Sequence, residues 1–502
     1  MDTRSLRRWA IAGGILILLL VSGAFLLAED KVREPAVAGA FYPSDPTELR
    51  SMVERFLKNV PKKPDIQHLI GLVSPHAGYI YSGHVAAHAY AQLKGRTIER
   101  VVVISPSHVK AFRGVAIYDG DAYRTPLGRI PVDKSFAKAL AKLDSRLHYS
   151  DEGHQPVGGR GEHALEVQLP FLQVVLGDFK LVPIVMGEQS YETCRALGVA
   201  LAKMIKDERT LIVASSDLSH YHPYDDAVEL DRKFLDALVH WDYYSMWKNL
   251  AVRRWEACGG GPIISLMIAA ERLGANRIEL LKYANSGDVP AGTRSQVVGY
   301  AAAALYRGES GNPEDENFSL TKEQCRKLME LAKRSVYAAV HGKGPVQPGD
   351  IRDSELWTER GAFVTLRKRH YLRGCIGYTS PVKPLCETVV EVARLAALRD
   401  PRFPPVSEKE FDDLEFEISV LSHFRHILNP DEIQVGKHGL LVKRGPREGI
   451  LLPQVPVEQG WDRLTFLKNA CLKAGLPPDA WKDEDTDIFV FTAFVFGEND
   501  LK

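Results

Sequence analysis

The chain has few cysteines and no balance of charge to spare. Six cysteines in 502 residues (Cys194, Cys258, Cys325, Cys375, Cys386, Cys471) form no CxxC pair and are too sparse for a disulfide-stapled scaffold. Lys plus Arg is 64 and Asp plus Glu is 64, a formal net charge of zero, so nothing favours nucleic acid, whose binding needs a clustered basic surface. The phosphate loop GxxxxGK[ST], the zincin helix HExxH, the nucleophile elbow GxSxG and the iron–sulfur spacing CxxxCxxC are all missing. Nucleotide hydrolysis, zincin proteolysis and α/β-hydrolase chemistry therefore lose their main support. No repeat of solenoid period is visible. An apolar fraction of 45% and a charged fraction of 25% are ordinary for globular protein, and the length is enough for about three domains at roughly 150 residues each.

Long apolar runs are also scarce, with one exception. Trp9–Ala28 carries no charge and follows Arg4, Arg7 and Arg8. At 1.5 Å per residue such a helix spans a hydrocarbon layer of roughly 30 Å. The expectation is a single-pass signal anchor with residues 1–8 cytoplasmic and everything after Glu29 extracytoplasmic, or a secreted protein if cleavage follows Ala28.

From about Val32 to Tyr306, apolar runs alternate with amphipathic stretches. His68–Val73, Arg100–Ile104, Phe179–Val185 and Thr210–Ala214 read as buried strands; Lys134–Leu143 and Tyr191–Lys206 read as helices. The alternation predicts a three-layer α/β domain over 33–306 with a largely parallel sheet. Residues 307–319 are rich in Gly, Pro and acid and read as a solvated linker. A helix capped by Thr321 and Gln324 follows. Beyond it, hairpin-like strands (Ala362–Arg367 into Tyr371–Tyr378; Phe416–His423) mixed with helices predict an α+β domain over 320–500.

Polar residues gather where the first-half strands end. His76 follows the first, His108 the second, and Asp217, His220 and His222 the fourth. In parallel α/β sheets, ligands bind beyond the carboxyl ends of the strands. Neutral imidazoles plus one anionic ligand suit a divalent transition metal. Asp217, Glu256 or the Cys258 thiolate could be that anion; spacing does not choose among them. The glycines after Cys258 let backbone approach a site closely. In GEHALEVQLPF, Glu162 and Glu166 are one helical turn apart with His163 beside them, either lining the pocket or forming a solvated helix start.

At these residues the chain resembles a known family. GAFYP (Gly39–Pro43), SPHAGYIYSG, SPSH, EHALEVQLPF, SSDLSH and CGGGPI, in that order, resemble the Memo family (AmmeMemoRadiSam system protein B) from about Arg33 to Arg307. The resemblance implies a fold similar to LigB-type class III extradiol dioxygenases. It also implies a metal site carried by His76, His108 and Cys258, with Asp217 and His220 in the same pocket as catalytic candidates. By this resemblance iron is the implied ion. A thiolate where the dioxygenases carry Glu also suits copper or zinc, and tips the reading away from ordinary ring cleavage. His220 would act as general acid or base and Asp217 would orient it.

The second half resembles the AMMECR-type domain (AmmeMemoRadiSam system protein A) in LRGCIGY (Leu372–Tyr378), DPRFPPVS (Asp400–Ser407), EFEISVLS (Glu415–Ser422), HGLLV (His438–Val442) and LLPQVPVEQGWD (Leu451–Asp462). That resemblance implies a radical SAM protein as a separate partner. Arg373 could lower the pKa of Cys375 by stabilising its thiolate; the competing reading is a Gly-bounded turn with Arg373 paired to Glu415 or Glu417. The functional expectation is a metal-dependent oxidoreductase acting on a small molecule or peptide. The alternatives are a non-catalytic peptide- or metal-binding module and a metal-dependent hydrolase.

Overall fold

The computed structural model describes residues 30–61, 66–158, 160–309, 318–349 and 351–501. In the first half the central strands are Leu69–Ser74, Thr210–Ser215, Arg100–Pro106 and Lys180–Met186, side by side and parallel. Their interiors are apolar and buried on both faces, as a strand covered by helices on either side requires. Successive side chains point to opposite faces. Val102, Ile104, Val182 and Ile184 join one core with the Tyr191–Met204 and Gly260–Arg272 helices. Val101, Val103, Leu181 and Val213 join another with the Tyr79–Tyr90 and Leu169–Leu176 helices.

The sheet is mixed rather than largely parallel. Arg277–Asn285 turns back through a short connection and pairs antiparallel with Val297–Tyr306, which in turn lies antiparallel to Leu69–Ser74. Asp217–His222 adds an antiparallel edge on Val297–Tyr306, and Val115–Ile117 runs antiparallel to Lys180–Met186. For the first of these pairs the reason is connection length: residues 286–296 fall short of the dozen or more that a parallel crossover needs.

In the second half, Tyr371–Tyr378, Ala362–Lys368, Leu414–Leu421 and Ala493–Gly497 form one antiparallel sheet. Arg425–Ile427, Asp487–Phe491, Gly439–Arg444 and Arg447–Leu451 form another. The Ala362–Tyr378 hairpin turns on Arg369 and His370, both at positive φ (50° and 70°), the backbone that a two-residue turn needs to match strand twist. The Lys322–Val340 helix opens on the Thr321/Gln324 capping box and packs with Leu385–Leu398 on the first sheet. Phe424, Leu441, Phe489 and Phe491 share a continuous apolar core with Tyr243 and Tyr244, so the two halves meet through buried aromatic surface.

The membrane expectation is not sustained. Trp9–Ala28 lies outside the described residues, and no helix among those described is long and apolar enough to cross a membrane. Lys322–Val340, at 19 residues, is long enough but amphipathic, with Lys and Arg on its outer face. The single-pass anchor, and with it the extracytoplasmic or secreted placement, is withdrawn.

Candidate metal centre

His76 sits just past the Leu69–Ser74 strand and is 1% exposed. Its backbone N–H donates to Asp217 Oδ1 at 2.7 Å. Its Nδ1 is 2.9 Å from Ser215 Oγ, and that hydroxyl donates to the Ala164 carbonyl at 2.6 Å while accepting from Gln168 Nε2 at 2.7 Å. With its one proton spent, Ser215 accepts from His76, which places the ring proton on Nδ1 and a lone pair on Nε2. Nε2 faces Cys258 Sγ at 3.1 Å. Burial and the neighbouring His108 push His76 well below the usual imidazole range, keeping it neutral.

His108 is oriented by a carboxylate. Glu162 accepts the His108 backbone N–H at 2.5 Å and lies 3.1 Å from its Nδ1, and also accepts the N–H groups of His163 and Ala164 at 3.0 Å each. Burial opposes ionisation of Glu162, but these donors outweigh it and hold the carboxyl well below its ordinary value. Holding Nδ1–H leaves His108 Nε2 as the donor atom, the arrangement by which outer carboxylates fix metal-binding histidines.

Cys258 precedes the Gly260–Arg272 helix. Its sulfur accepts the Asp217 N–H at 3.3 Å. The glycine that follows is required by space: Gly259 N–H donates to Ser216 Oγ at 2.9 Å, and a Cβ at Gly259 would collide with the Ser215 carbonyl. Burial and the nearby Asp217 charge push the Cys258 thiol well up. The helix N-terminus and the Asp217 N–H favour thiolate but do not overcome burial, so a cation is what would draw off this proton. One donor atom each from His76, His108 and Cys258 lies within 4.8 Å of the others. Two neutral imidazoles and one ionisable sulfur fit a borderline divalent ion.

The remaining sequence candidates divide. Asp217 is buried at the centre, with one oxygen committed to His76 N–H. His163 stacks against His108 with centroids 4.6 Å apart, and burial with its imidazole neighbours pushes it down to about 4. His220 lines a cleft of about 510 Å³ with Cys258, Gln189, Trp247, Trp255 and Glu256. Glu256 pairs instead with His222 Nε2, at 3.0 Å. Glu166 does not reach the site. It is fully buried under Arg33, the Ala36 and Val37 N–H groups and the Tyr42 hydroxyl. The segment starts as a turn and a short 3₁₀ stretch, so residues one α-turn apart do not share a face there.

In the second half, Arg373 pairs with Glu410 at 3.1 Å, not with Glu415 or Glu417, and donates to the Pro404 carbonyl at 2.9 Å. Cys375 N–H donates to Asp400 at 2.8 Å, and Asp400 binds Arg402 at 2.7 Å. Arg402, not Arg373, is thus the cation beside Cys375, and burial still pushes that thiol up. Sequence reasoning missed Ser215, Gln168, Trp255 and Arg402; all but Trp255 lie inside the SSDLSH, EHALEVQLPF and DPRFPPVS motifs, which was the signal available.

A Memo-like protein family model matches residues 33–304, and an AMMECR1 family model matches residues 329–496. A MEMO1 family protein of Methanopyrus kandleri is 40% identical over 287 residues, covering 55% of this chain and 99% of that protein. One from Methanocaldococcus jannaschii is 38% identical over 292 residues, covering 55% and 99%. Among solved structures, an uncharacterized protein from Pyrococcus horikoshii is 44% identical, covering 36% of this chain and 94% of its own, with a TM-score of 0.35. The expected radical SAM partner finds no support in these likenesses, and the expected membrane contact none in the fold.

Proposed function

Because the chain belongs to the Memo family, carrying an AMMECR1 region behind the Memo part, we propose that His76, His108 and Cys258 hold one divalent transition ion, and that the chain is a metal-dependent oxidoreductase acting on a small molecule or peptide in the adjoining cleft. Iron is the ion the extradiol-dioxygenase likeness implies, and the sulfur donor also suits copper or zinc. When bound, the ion would supply Lewis acidity, and redox capacity if it is iron or copper. The division of labour follows a boundary in the 307–319 segment, with residues 33–306 as the Memo unit and 320–500 as the AMMECR unit.

The chain's own residues have definite tasks. Ser215 and Glu162 hold the two imidazoles by Nδ1–H so that each offers Nε2. Asp217 is a positioning residue: its carboxylate fixes the His76 backbone and its N–H supports the sulfur. Trp247 and Trp255 give the cleft apolar walls that exclude water. His220, at the cleft surface beside Cys258, accepts or donates the substrate proton through its ring.

The observation that carries this reading is the convergence of three ligand atoms within 4.8 Å, each on a different structural segment. Elemental analysis of anaerobically purified protein tests it, followed by oxygen-uptake measurement. A metal equivalent that is lost in His76→Ala and in His108→Ala is expected. Undiminished metal in both variants removes the site, and turnover that needs no O₂ replaces oxidation with hydrolysis.

A further inference from the structure

A second constellation lies where the two halves meet. Asp236 is in the last turn of the Tyr224–Val239 helix, and His240 follows one turn later as its C-cap. Their i, i+4 spacing places both on one face. His423 arrives from the other half, between the Leu414–Leu421 and Arg425–Ile427 strands. Its Nε2 is 3.1 Å from Asp236 Oδ2, and its ring lies parallel to His240 at 9° with centroids 4.5 Å apart. One donor atom from each of the three falls within 4.8 Å of the others.

We propose that Asp236, His240 and His423 form a second divalent-cation site, which clamps the AMMECR unit to the Memo unit. Two imidazoles and a carboxylate, without sulfur, suit zinc or a similar borderline ion. The outer arrangement matches the task. Asp242, 1% exposed, takes the Nδ1 side of His423 at 3.3 Å and accepts the Phe424 N–H at 3.2 Å, which turns Nε2 toward Asp236. Glu162 does the same for His108 at the first centre, so each site has a carboxylate ordering a histidine from behind. The inner side of the seam is apolar: Tyr243, Tyr244, Phe424 and Phe489 pack together there, while Asp236 and His240 stay partly exposed. An ion here would join a helix of one unit to a strand connection of the other and stabilise the docked form by mass action. The competing occupant is a proton on His423, held between Asp236 and Asp242 with no ion.

Cobalt titration of the full-length, chelator-stripped chain under anaerobic conditions separates the two sites. The expected result is two equivalents: one giving a thiolate charge-transfer band, the other only ligand-field absorption. Cys258→Ser should abolish the charge-transfer band and keep the second equivalent. His240→Ala should keep the band and lose an equivalent; this side chain is partly exposed at a helix end, so the fold is expected to survive. Asp236→Asn should repeat the loss. In the Cys258→Ser background zinc should raise the melting temperature, and addition of His240→Ala should remove that rise. Unchanged stoichiometry in His240→Ala and Asp236→Asn overturns the proposal, as does a wild-type chain whose only equivalent disappears with Cys258→Ser; the proton-held seam then stands.

Discussion

The indole N–H of Trp255 donates to the Glu359 carboxylate at 3.3 Å, across the seam between the two units. Glu359 also binds Lys233, at 3.0 Å. Trp255 lies three residues ahead of Cys258 and forms a wall of the cleft, so the AMMECR unit holds the segment that presents the sulfur. Glu359→Ala should weaken metal binding at the first centre by roughly 3- to 10-fold, below the roughly 10- to 100-fold of a partner that touches a ligand directly, while Glu359→Gln retains an acceptor for the indole and most of the affinity. Titration of the thiolate charge-transfer band measures this; equal affinity in wild type and Glu359→Ala would make the two units independent.

Glu162 accepts N–H groups from His108, His163 and Ala164, so both of its oxygens are engaged in holding this segment. Glu162→Gln puts a donor where an acceptor is needed and should lower metal affinity by roughly 10- to 100-fold. Competition with a chromophoric chelator reads the loss. Unaltered affinity would mean that the tautomer of His108 does not matter.

Gly259 is fixed by the Ser215 carbonyl and the Ser216 side chain. Gly259→Ala should force the Cys258 turn away from the strand end, destabilise the chain by roughly 2 kcal/mol as overpacking does, and remove the charge-transfer band. Thermal melts and cobalt spectra on the same sample test both parts; a variant that melts and binds as wild type would show that the turn has room.

His426 reaches across the seam to Glu271 at 2.8 Å and is backed by Asp487 of its own unit at 3.5 Å. Burial pushes this imidazole down, but the two carboxylates outweigh burial and bring it up to about 9. A folded pKa above the unfolded value near 6.5 gives stability that is fully present below about pH 6.5 and lost as pH rises through about 9. The melting temperature should therefore fall by about 2 °C between pH 7 and pH 9.5, and His426→Gln should show a flatter profile over that window. Parallel profiles for the two proteins would contradict the assignment.

Much of the site was legible because strand ends carry ligands in this architecture. His76, His108 and Cys258 each follow a recognisable signal, an apolar strand or a glycine run, and all three converge. Sheet direction was not legible: whether Asp217–His222 and Val297–Tyr306 run with or against the central strands is decided by connections that read only as loops. The place of Glu166 was not legible, since period 3.6 does not hold across a segment that begins as a turn and a 3₁₀ stretch, nor was the partner of Arg373, since Glu410 sits in a 3₁₀ stretch with no strand pattern. The seam of His423, His426 and Asp487 was invisible, since its partners are up to 296 residues apart in the chain and no local period marks them.

X-ray absorption at the zinc edge of the loaded His240→Ala variant tests the central claim most directly, because that substitution leaves the first centre as the expected site of binding. The account predicts one sulfur at about 2.3 Å and nitrogen donors at about 2.0 Å. A first shell of oxygen and nitrogen alone, with no sulfur scatterer, would contradict it.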